Sequence, residues 1–333
     1  MPVRIADVAA AAGVSTATVS RVLNNNPRVG PALRRRVDEA ISRLGYRPNT
    51  VARALRTGRT PTIAVLEPEE ARLHNPYYVE MLLCLTACAR AHGLQVVVAL
   101  PGQWPAGAFA EMLSWARTGG LGGLILMDGV HGAPYAAEHE PSDPVAIVLG
   151  GIDDFTLPYV GIDEEEGGHQ ATRHLISLGH EVIGHLSGPD VVPMPHSREA
   201  GYARAVTDAG LEPIIQLSVS DPLCAREATH QLLDRFPEVT AIVAHNDFTA
   251  FGAMRAVAER GLRVPADVSV VGFDDVSLAA YASPPLTTVA YRISDVAFAA
   301  VDLMVRLLGG EPAPHVPLFS GLLVVRSSTA RRR

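Results

Sequence analysis

The chain has 333 residues and a formal net charge of −7 at pH 7, with 48% hydrophobic and 19% charged residues. This length exceeds what one hydrophobic core usually supports, so we expect two globular domains and a small additional unit. The apolar content excludes a disordered chain, and apolar runs such as AIVL at 146–149 are far shorter than the roughly 20 residues of a membrane span. The first residues, MPVRIADV, lack the apolar segment of a secretory signal, so we expect a cytoplasmic protein.

The charge is distributed unevenly along the chain. Residues 1–60 contain 11 arginines and three acidic residues, a net charge of +8, whereas the remainder contains 17 arginines and 32 acidic residues, a net charge of −15. The chain contains no lysine, so every cationic side chain other than histidine is a guanidinium that can make paired hydrogen bonds to phosphate or guanine. Nucleotide-composition bias also explains the missing lysine. The basic N-terminal segment nevertheless favours contact with a nucleic acid.

Two short amphipathic helices are predicted at the N-terminus. The first has apolar residues at i, i+3 and i+4, and the second repeats this spacing after Gly13, with Ser15 placed to cap it. Four consecutive alanines keep the first helix thin, and Gly13 supplies the left-handed corner between the helices. The pattern predicts a helix-turn-helix, although a generic helical hairpin has similar features. The apolar positions are Ile5, Val8 and Ala9, then Val14, Val19, Val22 and Leu23.

A third helix is predicted over 32–46, where Val37, Ile41 and Leu44 would close the small core. Arg34, Arg35 and Arg36 would then face solvent or phosphate. The basic stretch that follows, 47–60, is typical of a linker or of a helix that forms only on binding, since fewer than about 12 residues make an isolated helix marginal.

Beyond residue 60, short β-branched runs alternate with amphipathic stretches of helical spacing. This alternation predicts parallel α/β units. A break near 158–168 divides the strands into two series. The predicted strands are TIAVLE (62–67), LQVVVAL (94–100), GGLILM (122–127), VAIVL (145–149), VIGHLS (182–187), EPIIQL (212–217), TAIVAH (240–245) and VSVVGF (268–273).

Motifs for metal, nucleotide and catalytic chemistry fail on spacing. His180 and His185 are five residues apart, whereas the zinc motif HExxH requires four. GGLGG at 119–123 does not fit the dinucleotide motif GxGxxG, no nucleoside-triphosphate loop occurs, and the three cysteines lack zinc-ligand spacing. The three glutamates at 164–166 are interpreted as complements of a helix dipole rather than an acid/base cluster, because no partner residue can be named. We therefore expect no metal, no cofactor and no catalytic residue.

Long segments resemble the lactose/galactose repressor (LacI/GalR) family. They begin with DVAAAAGVSTATVSRVLN and RVGPALRRRVDEAISRLGYRPNTVARALRTG, and continue through NPYYVEML, ATRHLISLGH, SREAGYARAVTDAGLEP, AIVAHNDFTAFGAMRAVAERGLRVPADVSVVGFDD, PPLTTV and LVVRSST. The resemblance covers nearly the whole chain. It implies an α plus α/β protein with a three-helix head, a hinge helix and a two-lobed body like that of periplasmic binding proteins, built from two parallel-sheet sandwiches. The implied boundaries are head 1–46, hinge 47–60, N-terminal lobe 61–161 plus 291–319, and C-terminal lobe 162–290 plus 320–330.

The resemblance also implies how DNA would be read. The second helix would lie in the major groove, with Thr16, Ala17 and Arg21 at the base-reading positions. Paired hinge helices would enter the minor groove and bend the duplex. The neighbouring residues expected to contact phosphate are Ser15, Thr18, Ser20, Asn24 and Arg28. In the hinge, Asn49 would cap the helix, Leu55 would wedge a base step, and Arg56 would follow the groove wall.

In the body, the resemblance places five side chains in the cleft between the lobes. They are Arg198, Asn246 and Asp274, with Tyr77 and Tyr78 on the N-terminal lobe. Arginine, amide and carboxylate groups can bracket neighbouring hydroxyls, and an aromatic face can cover the apolar side of a sugar. The alternative for Arg198 and Asp274 is a structural ion pair.

These features together predict a sequence-specific transcriptional regulator, most simply a repressor. It would bind a pseudo-palindromic, double-stranded operator as a homodimer, because two half-sites require two heads, and would be nucleoid-associated when bound. A sugar or sugar derivative in the cleft would control it allosterically. The alternatives are a solute-binding protein of the same fold or an enzyme acting on a small polar ligand in that cleft. No contact with a membrane is expected.

Overall fold

The computed structural model describes residues 3–23, 29–46, 60–66, 76–99, 114, 118, 120–127, 145–150, 157–188, 193–218 and 221–332. The chain divides into two compact units, residues 1–61 and 62–333. Among the described helices, none combines the length and the apolar character needed to cross a bilayer.

The first unit is a small bundle of helices α1 (Ile5–Ala12), α2 (Thr16–Leu23) and α3 (Pro31–Leu44). The predicted helix-turn-helix is confirmed. Gly13 has φ +63°, the left-handed conformation that the corner between α1 and α2 requires. The core of the bundle consists of small or branched side chains, so the helices pack closely. Its buried members are Val8, Ala9, Ala12, Val19, Val22, Val37 and Ala40.

Two further contacts hold the start and end of these helices. The Ser15 side-chain oxygen accepts a hydrogen bond from the Thr18 backbone N–H at 3.2 Å, which confirms the predicted cap of α2. Arg36 on α3 donates to the Ala12 carbonyl oxygen at 2.7 Å. This bond satisfies a carbonyl at the last turn of α1, where a helix leaves its acceptors unpaired. Arg36 therefore braces the corner in addition to being exposed, a role that its predicted orientation does not include.

The second unit contains two main sheets. The five-stranded parallel sheet has the order β2-β1-β3-β4-β5, and the six-stranded sheet has the order β13-β11-β10-β9-β7-β8, in which β13 alone is antiparallel to its neighbour. A short parallel pair, β6 and β12, forms a third sheet. The bounds are β1 Thr62–Leu66, β2 Gln95–Ala99, β3 Gly123–Leu126, β4 Val145–Leu149, β5 Tyr159–Val160, β6 Ile162–Asp163, β7 Ile183–Ser187, β8 Ile214–Leu217, β9 Ala241–Ala244, β10 Ser269–Asp274, β11 Thr287–Ala290, β12 Phe319–Ser320 and β13 Leu322–Val324.

All eight predicted strands are present, each within two residues of its expected ends. The strands inside each sheet form because β-branched residues suit a sheet that is buried on both faces, whereas the edge strands β2 and β8 keep exposed residues. Helices connect the strands and cover the sheets. The described helices of this unit are α4 Pro76–Ala91, α5 Glu164–Ser177, α6 Pro193–Asp208, α7 Pro222–Arg235, α8 Asp247–Glu259 and α9 Ile293–Leu308, with a 3-10 helix at Ser277–Tyr281.

Helices α5 and α6 pack against each other at backbone distance. A Cβ atom added to Gly201 on α6 would lie 2.0 Å from the Glu165 carbonyl oxygen, and one added to Gly168 on α5 would lie 2.2 Å from the Arg198 carbonyl oxygen. Both distances are far below van der Waals contact, so only glycine fits at these two positions. This glycine seam, the contact of Gly168 and Gly201 with the facing backbones, fixes the position of Arg198 along α6 relative to the start of α5.

Candidate functional site

A buried arginine occupies the centre of the candidate site in the body. Arg198, which is 2% exposed, donates from Nε to Glu164 Oε2 at 2.6 Å and from Nη2 to Asp274 Oδ1 at 3.2 Å. Its Nη1 donates to the carbonyl oxygen of His245. The guanidinium also lies over the Phe273 ring, with Cζ 4.4 Å from the ring centroid. One cation thus joins the start of α5, the end of β9 and the end of β10.

Glu164 reaches this network because it is the first residue of α5. Asp163 caps that helix by accepting from the Glu166 backbone N–H at 3.0 Å, which turns the Glu164 side chain inward. The Tyr291 hydroxyl donates to Glu164 Oε2 at 3.1 Å. Burial raises the pKa of Glu164, and the charge of Arg198 opposes that rise. The carboxylate therefore depends on Arg198 for its charged form.

Asn246 and Asp274 lie at the carboxyl ends of adjacent parallel strands, β9 and β10, where ligands of α/β proteins commonly bind. The Asn246 side-chain oxygen caps α8 by accepting from the Thr249 N–H at 2.8 Å. The side-chain NH₂ is then the group that Asn246 can direct toward a ligand. Asp274 has φ +96°, a left-handed conformation that is strained for a residue other than glycine.

Tyr77 and Tyr78 are half-buried in the first turn of α4. Their rings meet edge to face, with centroids 5.3 Å apart. The pKa of Tyr77 is raised well above its usual value, first by burial and then by the charges of Asp274 and Glu164. Tyr77 therefore lies within electrostatic range of the arginine network. Of the five predicted effector-binding residues, Arg198 and Asp274 are in direct contact, and Asn246 follows His245, whose carbonyl accepts from Arg198. Tyr77 lies within electrostatic range of that pair, and Tyr78 contacts Tyr77.

Two side chains that hydrogen-bond within the network, those of Glu164 and Tyr291, are not among the residues predicted from the sequence. Glu164 was interpreted, with its two neighbours, as complementing a helix dipole without a partner, yet it is buried against Arg198 and Tyr291. Glu165 and Glu166 are instead more exposed and pair with Arg204 at 2.8 and 3.1 Å. The position of Glu164, the first of three adjacent glutamates directly after a strand, could have indicated a site residue. Nothing in the sequence around Tyr291 indicates its contact with Glu164.

The candidate DNA surface is the exposed face of α2 together with the residue before it. Ser15, Thr16 and Ala17 are exposed at the start of the helix and Arg21 is exposed in its last turn, whereas Thr18 and Ser20 are half-buried. Helix α2 packs its other face, through Val19 and Val22, into the bundle core. The remaining predicted DNA contacts lie outside the described residues; they are Asn24, Arg28, Asn49, Leu55 and Arg56.

Comparison with known proteins covers both units. Residues 4–49 match the family model of bacterial regulatory proteins of the lacI family, and residues 172–329 match the periplasmic binding protein-like domain. Catabolite control protein A of Priestia megaterium is 34% identical over 317 residues, which cover 93% of this chain and 94% of that protein. The chain belongs to the lacI family of bacterial regulatory proteins. As a lacI-family protein it is a DNA-binding transcriptional regulator, and its relatives are regulators rather than enzymes.

Solved structures of lacI-family proteins agree with this assignment. The lac repressor dimer bound to operator and the anti-inducer ONPF matches with a TM-score of 0.83 and 30% identity, covering 99% of this chain and all of that one. The complex of the transcriptional regulator CelR with cellobiose matches with a TM-score of 0.74 and 30% identity, covering 98% and 99% of the two chains. The predicted architecture of a helical head followed by a periplasmic-binding-protein-like body is confirmed.

Proposed function

We propose that this lacI-family protein is a repressor that binds a pseudo-palindromic operator as a homodimer. The observation that carries the proposal is the exposed face of α2, which presents Thr16 and Ala17 in its first turn and Arg21 in its last, on a bundle that matches the lacI-family model. Arg21 can donate two parallel hydrogen bonds to guanine, a contact worth about 1 to 3 kcal/mol of discrimination. Ser15, Thr18 and Ser20 would fix the register on phosphates.

We further propose that the described residues around Arg198 line the effector site. Arg198 carries one positive charge against the carboxylates of Glu164 and Asp274, and burial lowers the pKa of His185 to about 3 and that of His245 well below its usual value, so both imidazoles stay neutral. The cluster is therefore not cationic, and an anionic ligand would meet two carboxylates whose cation is already paired. This charge balance supports an uncharged sugar or sugar derivative, as do the cellobiose and ONPF that two structural relatives bind.

The organisation proposed for the body follows the same family frame. Residues 61–161 with 291–319 would form one lobe, and residues 162–290 with 320–330 the other, with a hinge at 47–60 joining the body to the head. Ligand and DNA would then favour different arrangements of the lobes, the usual basis of coupling between two sites. A regulator of this kind would work in the cytoplasm and would be bound to the nucleoid when it occupies its operator.

The test of the DNA-binding half is a selection from random duplexes, followed by affinity measurements on the selected operator and on a scrambled duplex. We expect Arg21→Ala to lose at least tenfold of the preference for the operator while retaining weak, salt-sensitive binding to both duplexes. Arg35→Ala is the matched control, because Arg35 is another exposed arginine of the head. Its replacement should lower the affinity for both duplexes equally. Unchanged discrimination by Arg21→Ala would refute the assignment of α2 as the reading helix.

The test of the effector half is a thermal-shift screen with cellobiose, maltose, glucose and glucose 6-phosphate. A ligand that binds only the folded body raises its melting temperature by mass action. We expect a neutral sugar to raise it and the phosphate ester to have no effect. Stabilisation by glucose 6-phosphate alone would contradict the neutral-sugar proposal.

A further inference from the structure

A third buried carboxylate, besides those of Glu164 and Asp274, lies beside the candidate effector site. Asp247, the first residue of α8, has an exposed fraction of 0%. Its Oδ2 accepts from the Val276 backbone N–H at 2.8 Å, and its Oδ1 accepts from the Thr288 hydroxyl at 2.6 Å. One side chain thus joins the start of α8, the turn after β10 and strand β11.

The turn after β10 requires such support. Asp274 and Asp275 have φ values of +96° and +50°, so two successive residues other than glycine adopt a left-handed backbone. That conformation persists only where surrounding contacts over-determine it. Three contacts hold Asp275 and the residue after it: Arg326 pairs with Asp275 Oδ1 at 2.6 Å, the Asp275 N–H donates to Thr288 Oγ1 at 3.4 Å, and the Val276 N–H donates to Asp247. These contacts involve the carboxyl groups of Asp247 and Asp275, and only that of Asp247 is fully buried.

The sheet leaves space for this carboxylate. A Cβ atom added to Gly272, in the middle of β10, would lie 2.3 Å from Asp247 Oδ1. Thr288 is the register partner of Gly272 on β11, so its hydroxyl reaches the same point. The absence of a side chain at Gly272 leaves room for the Asp247 carboxylate, and the Thr288 hydroxyl donates to it there.

We propose that Asp247 is a positioning residue that holds Asn246 and Asp274 in the arrangement needed to bind the effector. Asn246 directly precedes Asp247 and caps the helix that Asp247 begins. Asp274 lies two residues before Val276, whose backbone N–H donates to Asp247. The inference rests on the proposed function, because it assumes that these two side chains face a ligand. It assigns to Asp247 no contact with that ligand.

The test compares Asp247→Ala and Asp247→Asn with the wild type in the full-length chain. The amide of Asp247→Asn can still accept from Val276 and can donate to the Thr288 oxygen, so this variant should retain both contacts. Ser328→Ala is the matched control: Ser328 is fully buried and joins β11 and β10 through bonds to Thr287 N–H and the Val270 carbonyl, near the amino-terminal ends of these strands and away from their carboxyl ends. Hydrogen exchange at residues 274–281 and the affinity for cellobiose by calorimetry are measured below the melting transition.

We expect Asp247→Ala to raise exchange at 274–281 at least tenfold and to weaken cellobiose binding at least tenfold. Asp247→Asn should stay within threefold of the wild type in both measurements, and Ser328→Ala should lower the melting temperature without changing either. Should Asp247→Ala fail to fold, Thr288→Val, which removes one of the two bonds to Asp247 and also the acceptor of the Asp275 N–H, should produce a change in the same direction, and Thr288→Ser, which keeps the hydroxyl, should not.

A variant Asp247→Ala that melts earlier but exchanges and binds like the wild type would overturn the proposal, because Asp247 would then act on stability alone. The proposal would also be overturned if Ser328→Ala raised exchange at 274–281 and weakened cellobiose binding as much as Asp247→Ala does. If the wild type does not bind cellobiose, the result counts against the proposed effector class, and exchange at 274–281 still decides whether Asp247 holds the turn.

Discussion

Replacing Arg198 by methionine tests the electrostatic centre of the body. The substitution keeps a long, partly apolar side chain over Phe273 but removes the cation between Glu164 and Asp274, whose bonds to it measure 2.6 and 3.2 Å. Breaking a buried ion pair by removing one partner costs about 3 to 5 kcal/mol, against a total domain stability of about 5 to 15 kcal/mol. With about 2 to 4 °C lost per kcal/mol in a domain of this size, the melting temperature of the body should fall by roughly 6 to 20 °C.

The assay is thermal and urea unfolding of the full chain followed by circular dichroism. Arg204→Ala is the control on the same helix, since Arg204 pairs with Glu165 and Glu166 at 2.8 and 3.1 Å but is 42% exposed. An exposed pair of this kind is worth about 1 kcal/mol or less. The triple variant Arg198→Met, Glu164→Gln, Asp274→Asn should recover much of the loss, because it leaves no unpaired charge in the network.

Two results would refute this reasoning. One is a loss for Arg198→Met no larger than that for Arg204→Ala, and the other is a triple variant as unstable as the single one. At temperatures below its transition, Arg198→Met should still bind the selected operator and should no longer respond to the sugar that stabilises the wild type.

Two further predictions concern the cap of α2 and the titration of Asp247. Ser15→Ala removes the hydrogen bond to the Thr18 N–H and should lower the stability of the head by about 1 kcal/mol, which urea unfolding of the full chain would detect; a change below a few tenths would contradict the capping assignment. Burial, and then the charge of Asp274, raises the pKa of Asp247 well above 3.8, so its contribution to stability is present at low pH and is lost as the pH rises through the folded-state pKa. The free energy of unfolding of the wild type should therefore fall with rising pH relative to Asp247→Asn, and identical pH profiles for the two proteins would contradict this sign.

The elements predicted from the sequence are those with local causes. The eight strands follow from β-branched runs, which are buried in all but the edge strands β2 and β8, and the helix-turn-helix follows from apolar spacing around Gly13 and a serine cap. The bracing of the corner by Arg36 was not foreseen, because its acceptor at Ala12 is 24 residues away and no local pattern indicates that contact.

The same distinction applies to the candidate site. Arg198 and Asp274 could be named because the resemblance assigned them to the cleft, but their partners depend on contacts between distant segments. Glu164 lies 34 residues from Arg198, and Tyr291 lies 127 residues from Glu164. A glutamate at a helix start also has a sufficient local explanation in the helix dipole, which concealed its second contact.

The glycine seam between α5 and α6 limits how this site can change. Because Gly168 and Gly201 bring the two backbones into contact, neither helix can roll or slide on its neighbour without a collision between main-chain atoms. The pair therefore forms a rigid plate, and Arg198 and Glu164 keep their spacing whatever happens elsewhere in the body. A variant of this protein that acquires a new ligand preference would have to change side chains next to these two helices, because steric contact between their backbones prevents either helix from tilting.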